Sequence, residues 1–261
     1  MEITIQEISP EAAAMMLENN PANRVVNKAH VAAIARDMKA GAWQVNGDAI
    51  RLNCDGSLID GQHRLTACVV ANVPFRSVVI TGLDADVRAT IDGGRKRTHA
   101  DRLSMRGVAN ARAVSATARM IGVLALGQIV WHPTSHELDQ VIKTNPGLLE
   151  SVSHHKGDFP GMGTILPALH YIGGQIGQEY QSEKFCEVFR HGIPAYPGCA
   201  SHALRERIIA NREKLTAYGG DDLLRASVVC FRHFLTQTPV RQIKLGDDMR
   251  IKGWTPDRLG I

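Results

Sequence analysis

The amino-acid sequence predicts an α+β fold, in which a mixed α/β module is followed by a helical region. Two observations lead to this prediction. Up to about residue 100, short stretches of alternating apolar and polar residues lie between segments with helical spacing. Beyond that point the alternation disappears, and helical patterns follow one another, separated by Gly- and Pro-rich breaks such as HGIPAYPG. We therefore predict a first module over residues 1–105 and a helical domain over residues 106–261.

The chain begins with a predicted strand and two predicted helices. In residues 2–8, apolar and polar residues alternate as in a half-buried strand. Ser9 and Pro10 follow in the order typical of a helix N-cap and the first helical position. The next helical pattern ends at Gly41, which we expect just beyond the helix terminus. The apolar face of that helix is formed by Val31, Ile34, Ala35 and Met38.

A predicted hairpin leads into the rest of the module. The stretch AIRLNCDGSLID is typical of two short strands, and its Asp55-Gly56 pair suits a type I′ turn. Residues 62–71 have helical spacing, FRSVVI predicts another strand, and DADVRATID predicts a short helix. In the second half of the chain, helices are predicted over residues 108–127, 135–152, 163–176, 181–190, 199–217 and 221–237.

Composition and charge are those of an ordinary globular protein. Hydrophobic residues make up 44% of the 261 residues, which argues against extensive disorder. The formal net charge of +4 permits a polyanionic partner without requiring one. The five cysteines form no Cys-x-x-Cys pair, so we expect reduced thiols in a cytoplasmic protein. No apolar stretch is long enough to span a bilayer, and we expect no membrane partner.

The stretch LIDGQHRLTACVVAN places three polar side chains where a predicted strand meets a predicted helix. The strand stops at Asp60-Gly61, and Gln62, His63 and Arg64 open the helix. A helix N-terminus presents unpaired N–H groups that attract anions, and a glycine lets a ligand approach the backbone closely. An arginine can bind a phosphate through two nitrogens. The pattern predicts a phosphate site; the alternative is a polar helix start capped by Asp60 or Gln62.

A second turn of the same kind lies in ATIDGGRKRTHADRL, residues 89–103. Asp92 and two glycines are followed by three cations and a hydroxyl, which is typical of an anion-binding loop. The alternative is a solvated basic loop. The candidate phosphate contacts in this stretch are Gly93, Gly94, Arg95, Arg97 and Thr98. The two turns together could hold a triphosphate, or a phosphate and a nucleic-acid backbone.

The string DGQHRLTA resembles the signature of the ParB/sulfiredoxin superfamily, whose members carry a Gly-x-[His/Arg]-Arg turn at a strand–helix junction. The surrounding sequence is similar to phage and prophage-associated members described as ParB-like nuclease-domain proteins, over about residues 1–105. Members of the superfamily are CTP-dependent DNA clamps, free-serine kinases and sulfiredoxins. The resemblance implies a ParB/sulfiredoxin-like fold that binds a nucleotide, ATP or CTP with Mg²⁺, through Gly61, Gln62, His63 and Arg64.

The chain also departs from the pattern of some superfamily branches. Sulfiredoxins carry a cysteine where this chain has Gln62, so the resemblance excludes sulfinic-acid repair by that route. The clamp proteins carry a glutamate there, followed by two arginines, whereas the form seen here is closer to the serine kinases and to DGQHR-containing proteins of DNA-modification loci. The resemblance further implies that Asn23, Arg24 and Asn46 line the pocket, with Asp92 as another candidate; for Asn46 a simple turn is the alternative.

Roles for these residues follow from phosphoryl-transfer chemistry. His63 and Arg64 would stabilise phosphate charge, Gln62 would orient the nucleophile or a metal-bound water, and Arg95 and Arg97 would complete the clamp. Asp60 or Asp92 could act as a base or carry Mg²⁺, although each also suits a turn or a cap. If the site is real, Arg64→Ala should abolish NTP binding and leave the thermal melt of the apo protein nearly unchanged, whereas loss of folding would mean that Arg64 is structural.

We therefore expect an NTP-binding protein that carries out phosphoryl transfer or NTP hydrolysis linked to DNA metabolism or DNA modification. Whether it is an enzyme at all stays open, as do DNA and a second copy of the chain as partners. The alternative is a non-enzymatic DNA-binding protein that uses the basic cluster over residues 88–106. No P-loop motif is present. The histidines at 132 and 136, and those of Ser153-His154-His155 in an expected loop, do not predict a zinc site.

Overall fold

The computed structural model of the chain describes residues 1–20, 25–84, 87, 91, 97–155, 162–210 and 220–261. It is an α+β structure, about 55% helical, with a small mixed sheet of four strands among these residues, so the predicted class is confirmed. The chain divides into two compact units. The first comprises Met1–Lys96 with His132–His136, and the second comprises Arg97–Trp131 with Glu137–Ile261. In this division the second unit begins at Arg97, and the predicted domain boundary after residue 105 stays a prediction.

The first unit holds the sheet. Its strands are β1 (Glu2–Ile8), β2 (Ala49–Asn53), β3 (Leu58–Asp60) and β4 (Phe75–Leu83), and they lie in the order β1-β4-β2-β3. β4 pairs antiparallel with β1 and parallel with β2, and β2 and β3 form an antiparallel hairpin. The helices are α1 (Pro10–Glu18), α2 (Lys28–Lys39) and α3 (Gln62–Ala71). α3 packs against both other helices, and its Leu65 is fully buried in the core of the unit.

The start of α1 and the end of α2 are as the sequence predicts. Ser9 is the N-cap of α1, where its hydroxyl accepts a hydrogen bond from the N–H of Ala12, and Pro10 is the first helical residue. α2 ends at Lys39, and Gly41 follows with a φ of 65°. That left-handed conformation suits a glycine at the C′ position.

The hairpin is confirmed, but the predicted turn type is wrong. A type I′ turn requires positive φ at both central residues. Gly56 has a φ of 81°, whereas Asp55 is not among the residues with positive φ. The Asp55 carboxylate accepts a hydrogen bond from the N–H of Ser57 at 2.7 Å, so a side-chain bond spans this turn. The short helix predicted over DADVRATID lies largely outside the described residues.

The regular secondary structure in the described part of the second unit is all helical, and a short 3-10 helix (Pro256–Leu259) lies near its end. Its helices are α4 (His99–Met105), α5 (Ala111–Leu126), α6 (Ser135–Thr144, whose first two residues belong to the first unit), α7 (Leu148–His155), α8 (Ile165–Gln175), α9 (Glu179–His191), α10 (Ala200–Ala210) and α11 (Gly220–Leu235). The segment predicted as one helix over 135–152 is two helices, because the chain turns at Pro146. His154 and His155 lie in the last turn of α7, so their predicted loop position is wrong.

Aromatic side chains fill much of the core of the second unit. Phe185 contacts Phe231 and Phe234 edge to face, with ring centroids 5.2 and 5.3 Å apart. Trp254 is buried, and its indole N–H donates to the carbonyl of Ile121 at 2.9 Å. Among the described helices, none is both long and apolar enough to cross a membrane. The five cysteines are all free thiols.

Candidate functional site

The turn between β3 and α3 requires a glycine. Gly61 is buried and has a φ of 110°, a conformation that side chains rarely adopt. A Cβ atom at this position would collide with the side chain of Ile50 and would lie 3.3 Å from its Cα atom. The absence of a side chain therefore lets the strand pass directly into the helix beside β2.

α3 begins without a side-chain cap. The carboxylate of Asp60 accepts a hydrogen bond from the N–H of Gly61 at 2.7 Å, one position before the helix. The predicted alternative, a helix capped by Asp60 or Gln62, is therefore not what the structure contains. An uncapped start leaves backbone N–H groups directed away from the helix, where they can donate to an anion.

Asp60 joins two arginines. Its Oδ2 atom accepts from Nη1 of Arg51 at 2.5 Å and from Nη2 of Arg64 at 3.0 Å. Arg51 lies directly opposite Asp60 in the β2–β3 register, and Arg64 lies one helical turn after it. Since Oδ1 accepts from Gly61, both carboxylate oxygens are engaged by protein donors. Asp60 thus fixes the position of both guanidinium groups.

The Arg64 guanidinium is held firmly and is only partly satisfied. Its Nη2 atom donates to the carbonyl of Ala49 at 2.9 Å as well as to Asp60, and its side chain is 12% exposed. Its Nη1 atom is buried and has no hydrogen-bond partner among the described residues. A buried donor without an acceptor is destabilising. An oxyanion at the start of α3 would supply that acceptor.

His63 connects the starts of two helices. Its Nε2 atom accepts a hydrogen bond from the N–H of Asn27 at 3.1 Å. Asn27 is the N-cap of α2, where its side chain accepts from the N–H of His30, and the rings of His30 and His63 lie 5.2 Å apart. An accepting Nε2 places the ring proton on Nδ1, so His63 is neutral in this arrangement. The positive ends of the α2 and α3 dipoles therefore lie on either side of this contact.

Gln62 is half-buried at the first position of α3. Its carbonyl accepts from the hydroxyl of Thr66 at 2.8 Å. Among the residues that the structure describes, its side chain has no hydrogen-bond partner. Its amide is therefore available to a ligand at the helix start.

The structure describes only the end of the second predicted turn. The predicted site residues that lie outside the described part are Asp92, Gly93, Gly94 and Arg95. Arg97 is exposed, and Thr98 is the N-cap of α4.

The hydroxyl of Thr98 is used by its own helix. It accepts from the N–H of Asp101 at 3.1 Å and donates to the Asp101 carboxylate at 2.8 Å, while the N–H of Thr98 donates to the same carboxylate. This is a capping box, which T-x-x-D in the sequence could have indicated. A phosphate contact from Thr98 would have to compete with these bonds.

The remaining predicted pocket residues are not brought to the α3 turn by any described contact. Asn23 and Arg24 lie outside the described residues. Asn46 is exposed, and its side chain accepts from the N–H of Asp48 at 3.0 Å, as in a simple turn. Its role in a pocket stays a prediction.

Three residues of this site were missed in the sequence. Arg51 could have been found, because the hairpin register places an arginine opposite Asp60. Asn27 and His30 could not, since they reach His63 through the packing of α2 on α3.

The comparisons with known proteins add no relative. No protein-family model, curated protein or solved structure matches this chain. The resemblance to the ParB/sulfiredoxin superfamily therefore rests on the DGQHR turn and its flanking sequence, and it stays a prediction.

Proposed function

We propose that the first unit binds a nucleoside triphosphate at the start of α3, in the manner of a ParB/sulfiredoxin-like protein. The observation that carries this proposal is the Arg64 guanidinium. It is fixed by Asp60 beside an uncapped helix start, and its Nη1 atom is buried without an acceptor. Phosphate oxygens are acceptors only, and they match this set of donors.

Binding would use several donors of different kinds. Phosphate oxygens would accept from the first N–H groups of α3 and from Nη1 of Arg64, with the ring proton of His63 directed by its bond to Asn27. The glycine at position 61 lets β3 pass directly into α3 beside β2, and so places these donors at the turn. Arg51 and Arg64 make the site positive, and both side chains are held in place by Asp60.

The bound nucleotide would undergo phosphoryl transfer or hydrolysis linked to DNA metabolism or modification. Gln62 is the residue whose free amide could orient the attacking nucleophile. Asp60 does not suit magnesium, because both of its oxygens accept protein hydrogen bonds and two guanidinium groups lie against it. We assign Asp60 the positioning of Arg64. Any Mg²⁺ would arrive on the phosphates of the nucleotide, as is usual for this ion.

The test is calorimetric titration of the protein with ATP, CTP, GTP and UTP in the presence of Mg²⁺. Arg64→Lys keeps the charge and loses the planar fork, so we expect it to weaken binding roughly tenfold or more, since a charge-assisted hydrogen bond contributes about 1.5–3 kcal/mol. Arg64→Ala is less informative, because it would also remove the bonds to Asp60 and Ala49 and so lower stability. That changes the expectation from sequence alone, in which the apo melt is unaffected.

The matched control is Arg106→Lys, since Arg106 pairs with a single aspartate, Asp139, at 2.9 Å in the second unit. It should leave nucleotide affinity unchanged. If none of the four nucleotides binds, or if Arg64→Lys binds as tightly as the wild type, the proposal is wrong. DNA binding that falls steeply with salt, ignores nucleotide and weakens in Arg106→Gln would instead support the DNA-binding alternative.

A further inference from the structure

Three helices of the second unit bring together two histidines and a glutamate. His155 comes from α7, His170 from α8 and Glu183 from α9. The Nε2 atom of His170 lies 3.0 Å from Oε2 of Glu183, and Nε2 of His155 lies 3.6 Å from the same oxygen. The three ligand-type atoms all lie within 4.8 Å of one another.

We propose that His155, His170 and Glu183 bind a divalent transition-metal ion, with Zn²⁺ as the best-matched ion. Two imidazoles and one carboxylate suit Zn²⁺, whereas Mg²⁺ and Ca²⁺ prefer oxygen ligands throughout. Zinc–ligand bonds of about 2.0–2.1 Å set tetrahedral ligands roughly 3.3 Å apart. The two nitrogen–oxygen separations, 3.0 and 3.6 Å, are close to that value. Three protein ligands would leave one position open for water or a substrate.

The burial of His155 gives an independent reason to expect a ligand. Its side chain is 2% exposed, and its Nε2 atom has no hydrogen-bond partner among the described residues. An unsatisfied nitrogen in the interior is destabilising, and a metal ion would satisfy it once the ring proton lies on Nδ1. Burial also lowers the pKa of His155 to about 4 and lowers that of His170, so both rings are neutral at neutral pH. Neutral imidazole is the form that binds metals.

The surroundings orient the ring of His170 and leave a route to solvent. The Nδ1 atom of His170 lies 2.9 Å from the hydroxyl of Ser151, a contact of the kind that fixes a metal-binding ring. In the metal-free chain the Nε2–H of His170 donates to Glu183, and Nδ1 accepts from Ser151. A metal ion on Nε2 would move the ring proton to Nδ1, where the Ser151 oxygen can accept it. The Glu183 side chain is 56% exposed, so an ion can enter from that side.

Arg190 disfavours metal binding at this cluster. Its Nη2 atom lies 3.0 Å from Nδ1 of His155 and 3.2 Å from the carbonyl of His154. A guanidinium can only donate, so the ring proton of His155 must then lie on Nε2, the nitrogen that would bind the metal. Metal binding requires the proton to move to Nδ1, away from the ion and towards Arg190. Arg190 therefore weakens the site, and its removal should strengthen it.

The test is titration of the full chain, after treatment with a chelator, with Zn²⁺ by calorimetry and with Co²⁺ by visible absorption. We expect one ion per chain and a tetrahedral Co²⁺ spectrum. Glu183→Gln and His170→Ala should each weaken Zn²⁺ binding roughly tenfold or more. Glu183 is exposed enough for its substitution to preserve folding, so it decides the matter if His170→Ala is unstable. Arg190→Gln, whose amide oxygen can accept from Nδ1, should bind more tightly than the wild type.

The matched control is His154→Ala. His154 precedes His155 on α7, but its side chain is 67% exposed and its Nε2 atom faces Glu150 at 3.8 Å. It should leave Zn²⁺ affinity unchanged. The site is refuted if the wild type binds no ion, if Glu183→Gln binds as the wild type does, or if His154→Ala weakens binding equally. The role given to Arg190 is refuted if Arg190→Gln does not bind more tightly.

Discussion

The two polar clusters of this protein are built in different ways. At the start of α3, Asp60 pairs with Arg51 and Arg64, and all three lie within one hairpin and the first turn of the following helix. Among α7, α8 and α9, the cluster is instead two neutral rings and an exposed carboxylate, each from a different helix. The first cluster is specified by local sequence and keeps a net positive charge, because one carboxylate faces two guanidinium groups. The second depends on tertiary packing and leaves a buried nitrogen unsatisfied.

The largest expected effect on stability comes from substitution of Gly61, and it tests whether the first cluster depends on local structure. We expect Gly61→Ala to lower the free energy of unfolding by about 3 kcal/mol, as the sum of left-handed backbone strain and overpacking against Ile50. Chemical denaturation of wild type and variant measures this difference.

Gly56→Ala is the matched control for backbone strain alone. Gly56 also has positive φ, 81°, but the nearest atom to an added Cβ would be Nδ2 of Asn19 at 3.9 Å. We expect a loss of about 1 kcal/mol there. Equal losses at the two glycines would contradict the close approach of β2 to the α3 turn.

An intermediate effect is expected for the carboxylates of the two clusters, whose substitution should lower the free energy of unfolding by different amounts. Asp60→Asn leaves two partly buried guanidinium groups without a charged partner, so we expect a loss of about 2 kcal/mol. Glu183→Gln in metal-free buffer should cost less than about 1 kcal/mol, because that side chain is 56% exposed and its partners are neutral rings. Both values come from the same denaturation experiment. A larger loss at Glu183 than at Asp60 would reverse the comparison.

The smallest expected effect is the contribution of His99, in the second unit, to the pH dependence of stability. His99 is buried, its Nδ1 atom lies 2.8 Å from the hydroxyl of Ser115, and its Nε2 atom lies 3.2 Å from Asp139. Burial lowers the pKa of His99 below the ordinary 6.5, although Asp139 opposes the shift. The unfolded chain therefore takes up a proton at a higher pH than the folded chain, and stability declines as pH falls below about 6.5.

His99→Gln should make that decline shallower, as measured by thermal melts across a pH series. His191→Gln, at the exposed end of α9, is the control and should keep the wild-type slope. An unchanged slope in His99→Gln would mean that the ring does not titrate differently in the folded and unfolded chains.

Local signals predicted much of the fold, and side-chain contacts explain where they failed. Ser9, Pro10 and Gly41 act within a few residues of themselves, so their helix termini were predictable. The Asp55-Gly56 pair predicted a turn, but it did not specify the φ of Asp55, which is not positive.

Pro146 and Gly147 mark the break between α6 and α7 in the sequence, and tertiary contacts hold it in place. Asn145 is buried, its amide donates to the carbonyl of Val141, and its side-chain oxygen accepts from the hydroxyl of Tyr171 at 2.8 Å. A helical pattern over 135–152 cannot show that a tyrosine on a later helix holds this turn.

Of the two candidate sites, one was predictable from local sequence and the other depends on tertiary contacts. The Gly61 turn was predictable because glycine, helix start and arginine are consecutive in the sequence. The position of Arg51 follows from the hairpin register, which places it opposite Asp60. The cluster of His155, His170 and Glu183 was not predictable from spacing, because it exists only where three helices meet.

The most direct measurement for the nucleotide proposal is an NMR titration of the backbone amides with each NTP and Mg²⁺. The largest shifts should occur at the N–H groups of Gln62, His63 and Arg64, should saturate, and should be much smaller for the same nucleotide with Arg64→Lys. If no nucleotide shifts these amides, or if the shifts fall only on residues of the second unit, the start of α3 is not a nucleotide site.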